Sequence, residues 1–352
     1  GIGEGDEVVL PGATCSVMAN AVLRARARPV YADIDPETLG SEAGAIERVL
    51  SPRTRMIVAQ HSFGIPCDIE PIVELADAHG IFLLEDCALT LGSSIHGKVA
   101  GNFGQAALFS TDHSKPLNTM TGGLVYSRNR KLIQRLRRRR EETDDIPIAK
   151  QQALYQRMLL EREYCHPARY GRLALREIIE RFSRPAASPF LGEDFGVRES
   201  RSYPYPAKLP GFLALLGLFE LARWERVASE RKKVLEVLVR KAESLGASRL
   251  FPAAYRDDNR EIVPLRLGWH ADNGAHQRRM LSGMVDVSWT WFMRPIIATR
   301  EPLERFGYRW GSCPESERIG PLMVNLPCNV PAAWAGELAE CLSSALELRE
   351  KA

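Results

Sequence analysis

Lys115 and Asp86 are the two side chains whose types and spacing could carry covalent chemistry. Lys115 lies in Phe109-Ser110-Thr111-Asp112-His113-Ser114-Lys115-Pro116-Leu117, shortly before Gly122-Gly123. Asp86 ends the apolar run Ile81-Phe82-Leu83-Leu84-Glu85-Asp86. A carboxylate at the C-terminal end of one strand, followed by a lysine just beyond the next, is the pairing a pyridoxal phosphate site needs. The amine forms an imine with the cofactor aldehyde, and the acid holds the pyridine nitrogen protonated so that the ring can withdraw electrons. Once displaced by an incoming amine, the same lysine can move a proton between substrate carbon and cofactor carbon. Neither residue says this alone. Most lysines lie on surfaces, and an aspartate at a strand-to-helix turn is commonly a helix cap.

Such a pair must be held by a rigid scaffold. Over residues 1–127, short apolar runs alternate with helix-like segments. The strand candidates are Glu7–Leu10, Pro29–Asp33, Met56–His61, Ile81–Glu85, Ala106–Ser110 and Leu124–Tyr126. They lack strict alternation, which fits strands covered on both faces and mostly parallel. Helices are expected at Ser16–Ala27, Glu42–Leu50 and Glu70–His79. The expectation is an α/β domain with helices on both faces of the sheet. Ligands in such sheets sit beyond the carboxyl ends of the strands, where Asp86 falls.

Beyond residue 130 the pattern changes. Amphipathic helices are expected over about 130–185, from Leu154, Met158 and Leu159 and then Leu173, Leu175, Ile178 and Ile179. A proline-rich linker over 183–206 follows, and then a long helical region over 211–245. Strands are expected at Ile262–Leu267 and Val285–Trp289, a helix at Ala275–Gly283, and a last helix over Pro331–Lys351. This divides the chain into a large domain, 1–205, with a helical insertion at about 130–185, and an interdomain helix with a smaller α+β domain, 206–352. Trp289, Trp291 and Phe292 read as small-domain core.

With 47 basic and 44 acidic residues the net charge is +3, which gives no reason to expect nucleic-acid or membrane binding. The basic run Arg135–Arg140 is followed by Glu141-Glu142 and Asp144-Asp145, and reads as a solvated helix end beside an acidic loop. The cysteines at 15, 67, 87, 165, 313, 328 and 341 include no CxxC pair and suit no zinc site. Reduced thiols in a cytoplasmic protein are expected, with no metal, signal peptide or membrane span. The chain opens on Gly1 rather than Met, and the expectation is an N-terminally incomplete version of a longer protein.

The chain resembles the DegT/StrS-type sugar aminotransferases, which are fold-type I pyridoxal phosphate enzymes. The resemblance runs through Gly1-Ile2-Gly3-Glu4-Gly5-Asp6-Glu7-Val8, Ala19-Asn20-Ala21-Val22 and Pro29-Val30-Tyr31-Ala32-Asp33-Ile34-Asp35-Pro36. It continues through His61-Ser62-Phe63-Gly64 with Cys67-Asp68, Glu85-Asp86-Cys87-Ala88, and Phe109-Ser110 with Lys115 and Gly122-Gly123. A weaker match covers about 209–345. It implies a mostly parallel sheet between helices plus a smaller C-terminal α+β domain. It further implies Lys115 as the imine-forming residue, Asp86 at the pyridine nitrogen, Ala88 against the ring face and Ser110 on the cofactor phosphate. His113 and Lys208 become candidates for substrate contact. The reaction implied moves an amino group from an amino acid, with glutamate expected, to a keto sugar carried on a nucleotide. Sites at the interface of a homodimer are implied as well.

The chain departs from that pattern at several points. Leu89 stands where the family usually has a polar residue able to bond the cofactor's phenolic oxygen. Cys15 stands where an aromatic residue commonly stacks on the ring, so the thiol becomes the expected ring contact. Pro206 and Lys208 occupy the place of a family Asn and Arg that reach the partner subunit's site, and Ile297 that of a histidine. In the family a Gly-Thr turn upstream of the equivalent of Gly1 supplies N–H groups to the phosphate. Two alternatives therefore stand beside transamination: a non-catalytic homologue that binds a sugar nucleotide or a partner enzyme, and a sugar dehydratase. The presence of Lys115 speaks against the second. His61 reads as a structural residue near the site, and Gly101 and Gly104 match no phosphate-binding fingerprint.

Overall fold

The apolar runs of the first 127 residues become a six-stranded sheet. In chain order its strands are β1 (Glu7–Pro11), β3 (Arg28–Ala32), β4 (Thr54–Gln60), β5 (Phe82–Asp86), β6 (Ala106–Ser110) and β7 (Gly123–Tyr126). A two-residue strand, β2 (Thr14–Cys15), lies between the first two. A computed structural model describes residues 1–164, 206–285 and 290–346. Across the sheet the order is β7-β6-β5-β4-β1-β3. All neighbours are parallel except β6 and β7, which run antiparallel. The predominantly apolar inner strands are sandwiched as their composition requires. Helices α2 (Ala43–Val49) and α3 (Ile69–Ala78) bury Ile46, Ile69 and Ile72 with Val9, Ile57 and Leu83 on one side. Helix α1 (Ser16–Arg24) packs Ala19 and Val22 with Val8, Leu10 and Val58 on the other.

The edge differs. Leu124, Val125 and Tyr126 of β7 are all exposed, and helix α4 (Arg130–Glu141) buries none of its residues. Helix α5 (Ile148–Tyr164) follows and sends Leu154 into a small cluster with Met120, Ile146 and Leu213. The residues expected to form further helix at 173–179, and most of the proline-rich linker, lie outside the described residues, as does the proposed boundary at 205.

The long helical region resolves into two helices, α6 (Gly211–Ala222) and α7 (Trp224–Ser244), broken at Arg223. The C-terminal α+β unit pairs β8 (Arg266–His270) antiparallel with β10 (Met323–Pro327). Between them in sequence come α8 (Gly274–Ser282), the short β9 (Ile296–Ile297) and α9 (Pro314–Ile319), and α10 (Ala335–Leu346) closes the unit. Trp269, Leu267, Leu281, Val324, Leu342 and Leu238 form its core. Two expectations need correction. The strand expected at 262–267 lies instead at Arg266–His270: Pro264 has no N–H to give a ladder, and the Leu265 N–H donates to the Phe63 carbonyl in the large sheet's territory. The last helix begins at Ala335, after a 3₁₀ turn at Ala332–Trp334. Of the strand expected at 285–289, residues 286–289 lie outside the described residues. Among the described residues no helix is long and apolar enough to cross a membrane.

Candidate active site

Successive residues of a strand face opposite sides of its sheet, and the end of β5 uses both sides. Glu85 points into a closed interior. Its carboxylate accepts the N–H groups of Gly101 (2.6 Å), Phe103 (2.6 Å) and Gly104 (2.7 Å). It also meets His61 Nε2 at 3.2 Å. The Cys67 N–H donates to His61 Nδ1 at 3.1 Å, which leaves the ring proton on Nε2 to be donated to Glu85. Burial alone would raise the Glu85 carboxyl, but His61 and the backbone donors outweigh it and hold the group below its ordinary range. Gly101 and Gly104, which match no phosphate fingerprint, serve an internal anion instead. A Cβ at Gly104 would stand 2.7 Å from the Leu83 carbonyl oxygen. Cys87 completes a group of three potential metal ligands with His61 and Glu85. Burial pushes its thiol up to about 11, so it stays protonated, and the lone pairs of its neighbours are already committed. His61 is thus the satisfied core histidine that its flanking residues suggest.

Asp86, one residue on, faces a cavity of about 520 Å³. Its Oδ1 accepts the Ala88 N–H at 2.9 Å, and its peptide carbonyl accepts the His61 N–H at 3.1 Å. Among the described residues no hydrogen-bond donor meets Oδ2. Burial is the largest influence on this carboxyl and raises it, against the Ala88 N–H and the charge of Lys115. A buried acid with one oxygen uncommitted asks for a cationic or N–H donor in the cavity.

Lys115 is carried by the loop between β6 and β7, which is tied shut at its base. The Thr111 N–H donates to Gly122 O (3.0 Å), the Thr119 N–H to Thr111 O (2.8 Å), and the Thr119 hydroxyl to that of Thr111 (2.7 Å). Gly122 sits at φ +129°, where a Cβ would come within 2.8 Å of Leu209 Cδ1 and 2.9 Å of Thr111 Oγ1. Buried Arg231 of α7 donates to the Pro116 carbonyl at 3.3 Å, fixing the residue next to the lysine. Within the loop, Asp112 O accepts the Lys115 N–H at 3.0 Å, and Asp112 Oδ1 lies 2.7 Å from His113 Nδ1. The Lys115 Nζ stands 4.2 Å from the centroid of the Trp291 ring.

Cys15, Asp86, Ala88, Ser110, His113, Lys115 and Lys208 all line this one cavity. The other altered positions, Leu89, Pro206 and Ile297, line it as well. Leu89 and Ile297 pack in a single apolar cluster with Phe63, Trp291 and Phe292, so two departures from the family pattern form one wall. Lys208 is held by its N–H to Asp144 O at 2.9 Å, beside the acidic loop, and lines this chain's own cavity. Arg140, the last of the basic run and solvent-exposed like the rest of it, lines the cavity too. Trp291 and Phe292 are buried as core residues should be, yet they also line the cavity; Trp289 lies outside the described residues. Trp291, Asp112 and Arg140 are among the cavity residues that sequence reasoning did not assign to the site. For Asp112 the signal was its place beside His113; for Trp291 nothing local points to Lys115.

Residues 1–161 match the DegT/DnrJ/EryC1/StrS aminotransferase family. Over 136 residues the chain is 40% identical to an L-glutamine:2-deoxy-scyllo-inosose aminotransferase of Streptomyces kanamyceticus, covering 39% of this chain and 32% of that protein. Over 135 residues it is 39% identical to a GDP-perosamine synthase of Escherichia coli O157:H7, covering 38% of this chain and 37% of the relative. These matches span about a third of the curated relatives' length. The fold is shared with the crystal structure of the aminotransferase TlmJ from Streptoalloteichus hindustanus. There the TM-score is 0.70 at 23% identity, covering 99% of this chain and 81% of that one. Aminotransferases of the matched family depend on pyridoxal phosphate.

Proposed function

We propose, for a chain whose first 161 residues are DegT/DnrJ/EryC1/StrS aminotransferase sequence, a pyridoxal phosphate-dependent transfer of an amino group from an amino acid to a nucleotide-linked keto sugar. The carrying observation is the buried Asp86, its Oδ2 uncommitted, lining the same cavity as the loop-borne amine of Lys115. That donor set fits the cofactor at the ring nitrogen and at the aldehyde, and the Ser110 hydroxyl at the end of β6 supplies a group for its phosphate. The names of the relatives support a sugar-like acceptor; glutamate as donor is our choice among amino acids.

When bound, the cofactor supplies an aldehyde that takes up amines and a ring that stabilises negative charge on the carbon next to nitrogen. Lys115 would hold the cofactor aldehyde through its Nζ, and as a free amine it is placed to accept a proton from the donor's α-carbon and to return one. Asp86 would hold the pyridine nitrogen protonated, a positive partner that would offset the effect of burial on its carboxyl. The Asp112–His113 pair stands beside Lys115 and is suited to orient a substrate carboxylate or hydroxyl. Lys208 and Arg140 place positive charge at the mouth, where a diphosphate would approach. The apolar wall of Leu89, Phe292 and Ile297 keeps water from the reacting carbon. We further propose a cytoplasmic homodimer. Leu215, Leu218 and Phe219 stand exposed on α6, a helix apolar nearly all round, and such a face favours burial against a second copy.

The test is direct. With added pyridoxal phosphate the protein should develop a visible absorbance band. Borohydride should remove the band and leave the cofactor's mass on the peptide containing Lys115. Glutamate should convert the band to the amine form, and a nucleotide-linked keto sugar should restore it. A cofactor found on any other lysine would sink the assignment. Leu89 favours one second reading, since no side chain there can bond the phenolic oxygen: a homologue that binds but does not turn over. Cofactor attachment at Lys115 without conversion by any amino donor would select it.

A further inference from the structure

We propose that Trp291 provides the aromatic surface on which the bound pyridine ring stacks, replacing an aromatic side chain at position 15 with one delivered from the C-terminal unit. The proposal rests on the pyridoxal phosphate reading above. Cys15 offers a thiol where a flat ring would give more contact area. Strand β9 brings the 291–298 segment to it: Ile297 pairs with Cys15, and Ile296 with Thr14, in parallel register. Trp291, a few residues upstream on the same segment, lines the cavity together with Cys15 and Asp86. Its ring centroid lies 4.2 Å from Lys115 Nζ. A pyridine ring attached through that nitrogen is only two bonds further on, within the roughly 4.5–7 Å centroid range of stacked aromatic pairs.

The indole is built to stay there. Buried Asn325 of β10 clamps its backbone from both sides, accepting the Trp291 N–H at 3.5 Å through Oδ1 and donating to its carbonyl through Nδ2. The Arg266 guanidinium lies 5.3 Å from the ring centroid, and the Phe292 ring packs at 6.3 Å. Leu89 and Ile297, both apolar, extend the cluster around the indole. An aromatic ring supported by this aliphatic packing supplies the flat contact surface that the thiol at position 15 lacks.

The experiment is an equilibrium titration of pyridoxal phosphate into wild type, Trp291→Phe, Trp291→Leu and the double variant Trp291→Leu/Cys15→Tyr. Far-UV circular dichroism checks folding, and the visible circular dichroism of the bound band gives a second readout of ring environment. Trp291→Leu should weaken binding by about 3- to 10-fold, the size of one stacking interaction, and should reduce the visible ellipticity. Trp291→Phe should keep most of the affinity. The tyrosine at position 15 should recover affinity in the leucine background, which no purely structural role for Trp291 would produce. Wild-type affinity in Trp291→Leu, or weakening that Cys15→Tyr does not repair, overturns the proposal. If wild type itself fails to bind the cofactor, the reading it rests on fails first.

Discussion

Two carboxylates one residue apart, on the two sides of β5, meet opposite fates. On one side Glu85 is saturated: three backbone N–H groups and a histidine ring occupy its oxygens in a closed interior. On the other, Asp86 is buried too but has one oxygen turned to a cavity, where no donor among the described residues meets it. The first arrangement stabilises the fold; the second holds an unfavourable state that a ligand would relieve. A ring nitrogen bearing a proton would do for Asp86 what His61 and the Gly101–Gly104 turn do for Glu85. The lesson is that burial alone does not separate a structural acid from a functional one. The count of committed lone pairs does.

The largest effect should come from the open side. Lys115→Ala should lower amino transfer by about 10²–10⁴-fold, the range for losing a positioned acid–base group, and should abolish covalent attachment of the cofactor while leaving the melting curve of the ligand-free protein near wild type. A comparable loss of melting temperature would show Lys115 to be part of the scaffold and erase the contrast. On the closed side, Glu85→Ala should cost stability, about 3–5 kcal/mol for stripping one partner from a buried charged network. Denaturant unfolding of the ligand-free chain reads this.

The pH dependence of the two sides should have opposite sign. Glu85 is held below the ordinary carboxylate range by His61 and the backbone donors, despite burial. Its stabilisation is present above the unfolded value and is lost as pH falls through the folded one. Asp86 is raised, chiefly by burial. Its contribution is favourable below the unfolded value and is lost as pH rises through the folded one, so at neutral pH the ligand-free protein carries a cost. Asp86→Asn should therefore melt at or above wild type at pH 7, with the gain shrinking toward pH 4, while its cofactor affinity falls. Glu85→Gln should melt lower at pH 7 and approach wild type on acidification. Parallel pH curves for the two variants would contradict the distinction between the sides.

The sequence makes the open side legible and hides the closed one. Asp86 and Lys115 can be found because each follows a short apolar run, and a parallel α/β sheet gathers the ends of such runs at one edge. Glu85 sits in the same run and offers no sign of its role. Its partners arrive from a later turn whose glycines look like a failed phosphate loop. Trp291 reads correctly as buried, but its neighbour Lys115 belongs to a distant part of the chain, and no local period carries that relation. The strand near 266 is displaced from its expected place because Pro264 withholds a ladder hydrogen bond while Leu265 binds across to Phe63. Exposure alone does not show one point that matters: Arg140 is solvent-exposed like the rest of the basic run, yet it borders the cavity.

The smallest effect is expected at that mouth. Lys208 and Arg140 are water-exposed enough that each should contribute about 0.2–1 kcal/mol to holding an anionic acceptor, as exposed charge pairs do. Lys208→Ala and Arg140→Ala should each raise the KM for a nucleotide-linked keto sugar by a few-fold, leave the glutamate half-reaction unchanged, and lose their effect in about 0.5 M salt, where screening acts within a few ångströms. The split between the two half-reactions carries the force of this test. A cation that only supports the fold would slow both equally and at any ionic strength. One that meets a diphosphate must spare the amino donor, which carries no such group. Equal losses in both halves would move the anion-binding end elsewhere, and the rim would then be ordinary surface.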